Sequence, residues 1–523
     1  MPRVSRLIVT LAILAWPLTC LAQEQGLLVK LDTGAVEGKM QGTIRTFLGI
    51  PYAAPPVGQL RWKPPQPPAS WSEVRQATNF GAHCMQGPIY GDMVFHDPGG
   101  SEDCLTLNVW TPAKNARAKL PVMVWIHGGG YQAGATSEGR QDGQFLAKRG
   151  VVVVSMNYRL GIFGFFTLAE LAAESDKNAA GNYGLLDQLA ALEWVERNIA
   201  SFGGDPANVT IFGESAGSFS VSAQMASPLA RGLFKRAIGE SGAAFSGSGE
   251  RFTPLAAREQ SDGEFAASMF ATRSLKELRA MPAAKILDIT VKSSDRGFRF
   301  QPDIDGYFLP QAAPAIFAAG KQNDVALLAG WNRDEGSFHA ESGKNPRESL
   351  VALAKKEFPD TSDEFLGLYA GDGGDETVAR SIADFVGDRF IAWSTWRWLE
   401  AQAATGKKPV YRYRFDLSLP SSTKKEGLGA YHSAEIEYVF GTLDSKTEIP
   451  WRAKDRELSE LIEKYWVNFA RSGNPNGPGL PKWPSYQAAD GWQVMYLNLP
   501  PRAAKDSLRK RYLFLSAAWG KQL

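Results

Sequence analysis

The chain has 523 residues, 44% of them hydrophobic and 21% charged, and a formal net charge of +2. These proportions are ordinary for a globular protein, and the length allows a large core. Lys and Arg are spread along the chain, so the basic footprint of a nucleic-acid binder is excluded.

The N-terminus reads as a cleaved secretory signal. Arg3 and Arg6 precede an apolar run from Leu7 to Trp16, and Cys20-Leu21-Ala22 offers a small-x-small cleavage site before Gln23. The run is too short to span a bilayer, and no later segment reaches that length. The expectation is a secreted or periplasmic protein without a membrane anchor, with one catalytic domain over residues 23–523. Removing the signal leaves Cys84 and Cys104. Export permits a disulfide, and closing a loop of this size would stabilise by roughly 3 kcal/mol.

Seven prolines between Pro51 and Pro68 suit an extended surface crossing rather than a helix. Strand and helix signals then alternate. Leu107 to Trp110 and Pro121 to Ile126 read as strands, Asp142 to Arg149 as a helix, and Val151 to Asn157 as a buried strand. A helix follows over Asp187 to Asn198, with Leu189, Leu192 and Val195 at helical spacing. Val325 to Gly330 and Val410 to Phe415 read as two further core strands. The alternation argues an α/β fold with helices on both faces of a large, mostly parallel sheet. Between about residues 255 and 400 the pattern is mostly helical and reads as inserted cap structure.

Three segments carry chemistry. Strand residues Val209 to Phe212 run into Gly213-Glu214-Ser215-Ala216-Gly217, followed by a helix-compatible run from Ser218 to Met225. Gly-x-Ser-x-Gly in this setting is a nucleophile elbow, a tight turn that lifts a serine hydroxyl above a sheet. A serine hydroxyl needs a base, and with the chain order Ser, acid, His, the histidines left are His339 and His432. His432 is preferred, because His339 follows the candidate acids too closely to face them. Those acids are Asp334 and Glu335, on the loop after the strand Val325 to Gly330. Spacing leaves both open, and the carboxylate not used would pair with Arg333 or cap the turn. His127-Gly128-Gly129-Gly130 follows the strand Pro121 to Ile126. Beside an elbow, such a glycine run presents backbone N–H groups to an oxyanion. The expected donors are the amides of Gly129, Gly130 and Ala216, with His127 structural.

The chain resembles the type-B carboxylesterases of the α/β-hydrolase superfamily, the family of bacterial para-nitrobenzyl esterases, liver carboxylesterases and cholinesterases. Phe202 to Gly217 matches the family's serine signature throughout, and Ser101-Glu-Asp-Cys-Leu-Thr-Leu-Asn-Val109 looks like its second signature. Phe47 to Gly58 and Asn182 to Gln188 are also family-like. The resemblance implies Glu335 as the acid, His432 as the base, and Ser241 and Glu214 as supporting residues. It also implies a Cys84–Cys104 bridge and a substrate pocket at Phe298, Phe300 and Tyr131. No metal or cofactor is implied, and the partner is a small-molecule ester. The disulfide loop from Met85 to Asp103 lacks the tryptophan with which cholinesterases bind choline, so choline esters are not expected substrates. Arg296 and Arg299 flank the acyl segment; they could admit an acidic acyl group or belong to a solvated loop. The same machinery could act on an amide, thioester or carbamate, and a relative that has lost the serine could serve only for binding. Here nucleophile, acid, base and glycines are all present.

Overall fold

The computed structural model describes residues 26–245, 252–294, 298–338, 346–369, 375–420 and 428–519. The expected signal segment therefore lies outside the described residues, as do His339 and Arg296. The frame is an 11-stranded sheet. In chain order its strands are β1 (Lys39–Gln41), β2 (Ile44–Pro51), β3 (Thr106–Thr111), β4 (Leu120–Ile126), β5 (Val152–Met156) and β6 (Gly204–Glu214). They continue with β7 (Arg236–Glu240), β8 (Ala326–Asn332), β9 (Val410–Phe415), β10 (Gln493–Leu497) and β11 (Arg502–Lys505). Across the sheet the order is β11-β10-β9-β8-β7-β6-β4-β5-β3-β2-β1. The six pairings from β5–β4 to β9–β10 are parallel. The pairings at both edges are antiparallel.

The apolar runs explain why the middle of the sheet is parallel and covered on both sides. In β4, Val122, Val124 and Ile126 enter one core while Met123 and Trp125 enter the other, and all five are fully buried. A strand with two buried faces reads as a continuous apolar run, and each such side chain contributes roughly 1.5–3 kcal/mol by leaving water. Helices α1 (Tyr183–Asn198), α2 (Ala216–Ala226) and α3 (Trp393–Thr405) cover one face through residues such as Leu192, Phe219 and Trp398. Helix α4 (Ala453–Ser472) covers the other through Leu458, Ile462 and Trp466.

The strand order reverses beside β4: β5 lies on one side of it and β6 on the other. Such a switch point opens a crevice over the carboxyl ends of the strands, where ligands bind in open α/β sheets. The loops after β4, β6, β8 and β9 converge there. Between residues 255 and 405 the regular elements among the described residues are helices, apart from β8 and the short strand Asp303–Ile304. Cys84 and Cys104 are bridged, with Cα atoms 5.0 Å apart. No helix among the described residues is long and apolar enough to cross a membrane.

Candidate active site

β6 ends at Glu214 and α2 begins at Ala216, so Ser215 alone makes the turn, at φ 53° and ψ −120°. A non-glycine residue in this region is strained by about 1–3 kcal/mol, and the surroundings must hold it. The Ser215 amide donates to Glu240 O at 2.8 Å, and Ser215 O accepts from the Phe219 amide at 2.9 Å. The two elbow glycines let strand and helix approach this closely. A methyl group on Gly213 would lie 2.6 Å from Ile126 O, and one on Gly217 only 1.9 Å from the same atom. Gly217→Ala should therefore destabilise the fold by about 3 kcal/mol or more, read as a lowered denaturation midpoint. A midpoint equal to that of the unsubstituted chain would contradict this packing.

His432 faces the serine. Its Nε2 lies 2.9 Å from Ser215 Oγ, and its Nδ1 lies 2.6 Å from Glu335 Oε2. Glu335 is buried on the turn that leaves β8. Its Oε1 accepts from Ser241 Oγ at 2.6 Å and from the Asn332 amide at 2.8 Å. One carboxylate oxygen is thus held by two donors and the other is left for the imidazole. Phe390 packs edge-on against the His432 ring, with centroids 5.1 Å apart.

The structure separates Asp334 from Glu335 by their partners. Asp334 pairs with Arg333 and Arg380 and accepts from the Ala430 amide at 2.7 Å. The Asp334 amide in turn donates to Ala430 O at 2.9 Å. Asp334 therefore ties the turn after β8 to the loop that carries His432. Gly429 is required there, since its φ is +71° and a methyl group would lie 2.0 Å from Asp334 Oδ2.

A family model described as the carboxylesterase family matches residues 25–515. The chain belongs to the carboxylesterase family. It is 38% identical over 477 residues to the para-nitrobenzyl esterase of Bacillus subtilis (strain 168), covering 88% of this chain and 92% of that one. It is 35% identical over 532 residues to liver carboxylesterase 1 of Oryctolagus cuniculus, covering 93% and 91%. It is also 35% identical over 486 residues to the fumonisin B1 esterase of Sphingopyxis macrogoltabida, covering 90% and 87%. The protein is accordingly a carboxylic ester hydrolase with the α/β-hydrolase fold.

The glycine loop of the esterase borders the elbow. A methyl group on Gly128 would lie 3.2 Å from Ser215 Cβ. Gly129 and Gly130 take φ values of +98° and +64°, and a methyl on Gly129 would strike Ala133 O at 2.0 Å. Ala216, the first residue of α2, closes the other side. His127 lies beneath the loop, stacked on Tyr158 with centroids 4.4 Å apart, and burial pushes its pKa down to about 4. It stays neutral and acts as packing.

The expected pocket residues of the esterase divide. Tyr131 is buried, its ring edge-on to Phe165 and its hydroxyl 3.3 Å from Ser220 Oγ, so it faces the core. Phe298 stacks on Phe265, and Phe300 meets both rings edge-on. Phe298 and Phe300 also line a cavity of ≈ 20 Å³ with Ile89 and Gln132. Arg299 is exposed, as a solvated loop residue would be.

Three more residues, Asn332, Glu435 and Glu240, complete the site, and the sequence reading did not single them out; Glu214, expected as a supporting residue, joins them. Asn332 Nδ2 donates to Glu435 Oε2 at 2.5 Å. Glu435 Oε1 lies 3.2 Å from Ser241 Oγ, which also reaches Glu335. A hydroxyl has one proton and cannot donate to both carboxylates. Burial, together with the nearby carboxylates of Glu214 and Glu335, pushes the Glu435 pKa up and favours its protonated form, which can itself donate to Ser241. Glu240, also raised by burial, accepts from Trp466 Nε1 at 2.7 Å. Glu214 Oε1 lies 3.3 Å from His432 Nε2, and burial pushes Glu214 up to about 7. Burial would lower His432, but the carboxylates of Glu214 and Glu335 outweigh it and raise the imidazole to about 9. The spacing His432-x-x-Glu435 places both residues on one turn of chain, the one local signal that could have found Glu435.

Proposed function

We propose that this esterase hydrolyses carboxylic esters through an acyl-enzyme formed on Ser215. The observation that carries the reading is the continuous contact from Ser215 Oγ to His432 to Glu335, at 2.9 and 2.6 Å. His432 Nε2 takes the serine proton as Oγ attacks the ester carbonyl. The developing oxyanion is held by the amides of Gly129, Gly130 and Ala216. Glu335 holds Nδ1–H, fixes the tautomer and stabilises the imidazolium without taking its proton. His432 then protonates the departing alcohol, and water repeats the cycle to release the acid. Glu214 acts on the imidazole beside Nε2, and Ser241 acts on Glu335 through the carboxylate oxygen that His432 does not use.

A common acyl-enzyme has a kinetic signature. Acetate esters of several alcohols, hydrolysed in water with added methanol, should divide the acetyl group between water and methanol in one constant ratio. A ratio that varies with the departing alcohol would rule out the shared intermediate.

Glu214 sets the pH range. A general base works when neutral, so kcat/KM rises with pH through the His432 pKa. The Glu214 carboxylate raises that pKa, so Glu214→Gln should move the acid limb to lower pH. An unmoved limb, or one moved to higher pH, would contradict the assignment.

The tight cavity beside Phe298 and Phe300 supports short acyl groups, since it has space for little more than one water. The exposed Arg299 gives no support for an acidic acyl group. A kcat/KM that climbs steadily from acetate to octanoate esters would overturn the short-chain reading. We further propose export with removal of residues 1–22, which the Cys84–Cys104 bridge supports. N-terminal sequencing of the exported protein should begin at Gln23, and retention of Met1 in that fraction would refute it.

A further inference from the structure

A larger cavity lies against the turn that carries Glu335. Its volume is ≈ 210 Å³, room for several waters or one small organic ion. Asn332, Glu335 and Gly336 line it, whereas Ser215, His432 and the glycine loop do not. One wall belongs to the π-turn Asp388–Ala392, through which the helix Asp375–Gly387 runs into α3. Such turns occur disproportionately at functional sites.

Four arginines line the same cavity: Arg333, Arg380, Arg414 and Arg511. Aspartates hold them in place. Asp334 pairs with both Arg333 and Arg380, and Asp384 pairs with Arg380 at 3.2 Å and Arg511 at 3.1 Å. Arg414 donates to Asp416 through Nε at 2.5 Å and Nη2 at 2.9 Å. Arg414 also lies 4.8 Å over the Tyr496 ring, and Arg511 4.4 Å over that of Tyr369.

These contacts use only part of each guanidinium fork. Among the described residues, Arg333 Nη1, Arg380 Nη1, Arg414 Nη1 and Arg511 Nη2 have no acceptor. The other acids of the lining do not supply one. Glu335 gives its oxygens to His432, Ser241 and the Asn332 amide. Asp388 accepts from Tyr369 Oη at 2.7 Å, and burial raises its pKa and favours its neutral form. The wall thus presents more positive charge than its aspartates neutralise. Guanidiniums fixed in this way bind oxyanions with little further ordering of their side chains.

We propose that this cavity binds a small dianion, a dicarboxylate or a phosphate, through the free Nη groups of the four arginines. The Arg380 side chain is 45% exposed, which leaves the cavity within reach of solvent. The dianion and the ester occupy different places and bind together. The proposal does not depend on the acyl-enzyme reading, because binding is measured without an ester.

The test titrates succinate and inorganic phosphate into the whole enzyme by calorimetry, at an ionic strength fixed with chloride. At least one of them should bind at one site per chain, and the two arms separate a linear dicarboxylate from a tetrahedral oxyanion. Arg380→Gln and Arg414→Gln should each weaken binding about tenfold or more, the loss of a charge-assisted hydrogen bond. Ala383→Glu puts a carboxylate on the cavity wall, leaves every arginine in place, and should abolish binding. Ala383 is only partly buried, so this variant decides the matter if an arginine variant fails to fold. Arg197→Gln, in the exposed pair with Asp32, should change binding less than about twofold. No binding of either anion, or binding that the cavity variants leave unmoved, would overturn the proposal. Inhibition competitive with the ester would also overturn it, by placing the anion at Ser215.

Discussion

Ser215→Ala should lower kcat for short aryl esters by on the order of 10⁶-fold, leaving the small residual rate that oxyanion donors and binding supply alone. The size follows from the geometry. Ser215 Oγ and His432 Nε2 form one proton-transfer pair at 2.9 Å, so removing either disables the same step. His432→Ala should therefore cost about as much, and the double substitution hardly more than either single one. The fold should survive, because the elbow is held by backbone bonds from Ser215 to Glu240 and Phe219. A soluble, cooperatively unfolding Ser215→Ala variant that retained more than about one hundredth of the rate would contradict the mechanism.

Glu335→Gln should lower kcat by about 10⁴-fold with little change in stability. Glu335 Oε1 accepts from both Ser241 Oγ and the Asn332 amide. In the glutamine variant the amide oxygen takes that place, which turns the NH₂ group toward His432 Nδ1. The imidazole must then accept at Nδ1 and carry its proton on Nε2. A protonated Nε2 cannot take the proton of Ser215. The loss is thus one of tautomer rather than of charge alone, and it should fall on kcat, with KM for a short ester little moved. A variant with near-normal kcat would mean that Glu335 does not orient the base.

The parts of the site that sequence made legible are those written in contiguous residues. The elbow, the glycine turn and β9 are each a local pattern with a steric reason behind it. Spacing could not separate Asp334 from Glu335, because the distinction lies in partners far along the chain: Ser241 for one, Arg380 and Ala430 for the other. Glu435, Asn332 and Glu240 were illegible for the same reason; each matters through contacts across the sheet. Local boundaries also moved for physical causes. The helix read from Asp142 spans only Gln144–Lys148, since the Asp142 carboxylate accepts from the Gln144 amide at 2.9 Å outside the helix. The helix read from Asp187 begins at Tyr183, because Tyr183, Leu185, Asp187 and Gln188 are all buried and blur the apolar stripe. Asp187 is buried by pairing with Arg159 at 2.7 Å.

The central claim is that Ser215 is the nucleophile. A fluorophosphonate reacts covalently with an activated serine, and peptide mapping by mass spectrometry locates the adduct. One phosphonyl group per chain on Ser215, formed in step with loss of esterase activity and absent from His432→Ala, is the predicted result. Loss of activity with the adduct on another residue, or full activity with no adduct, would contradict the account.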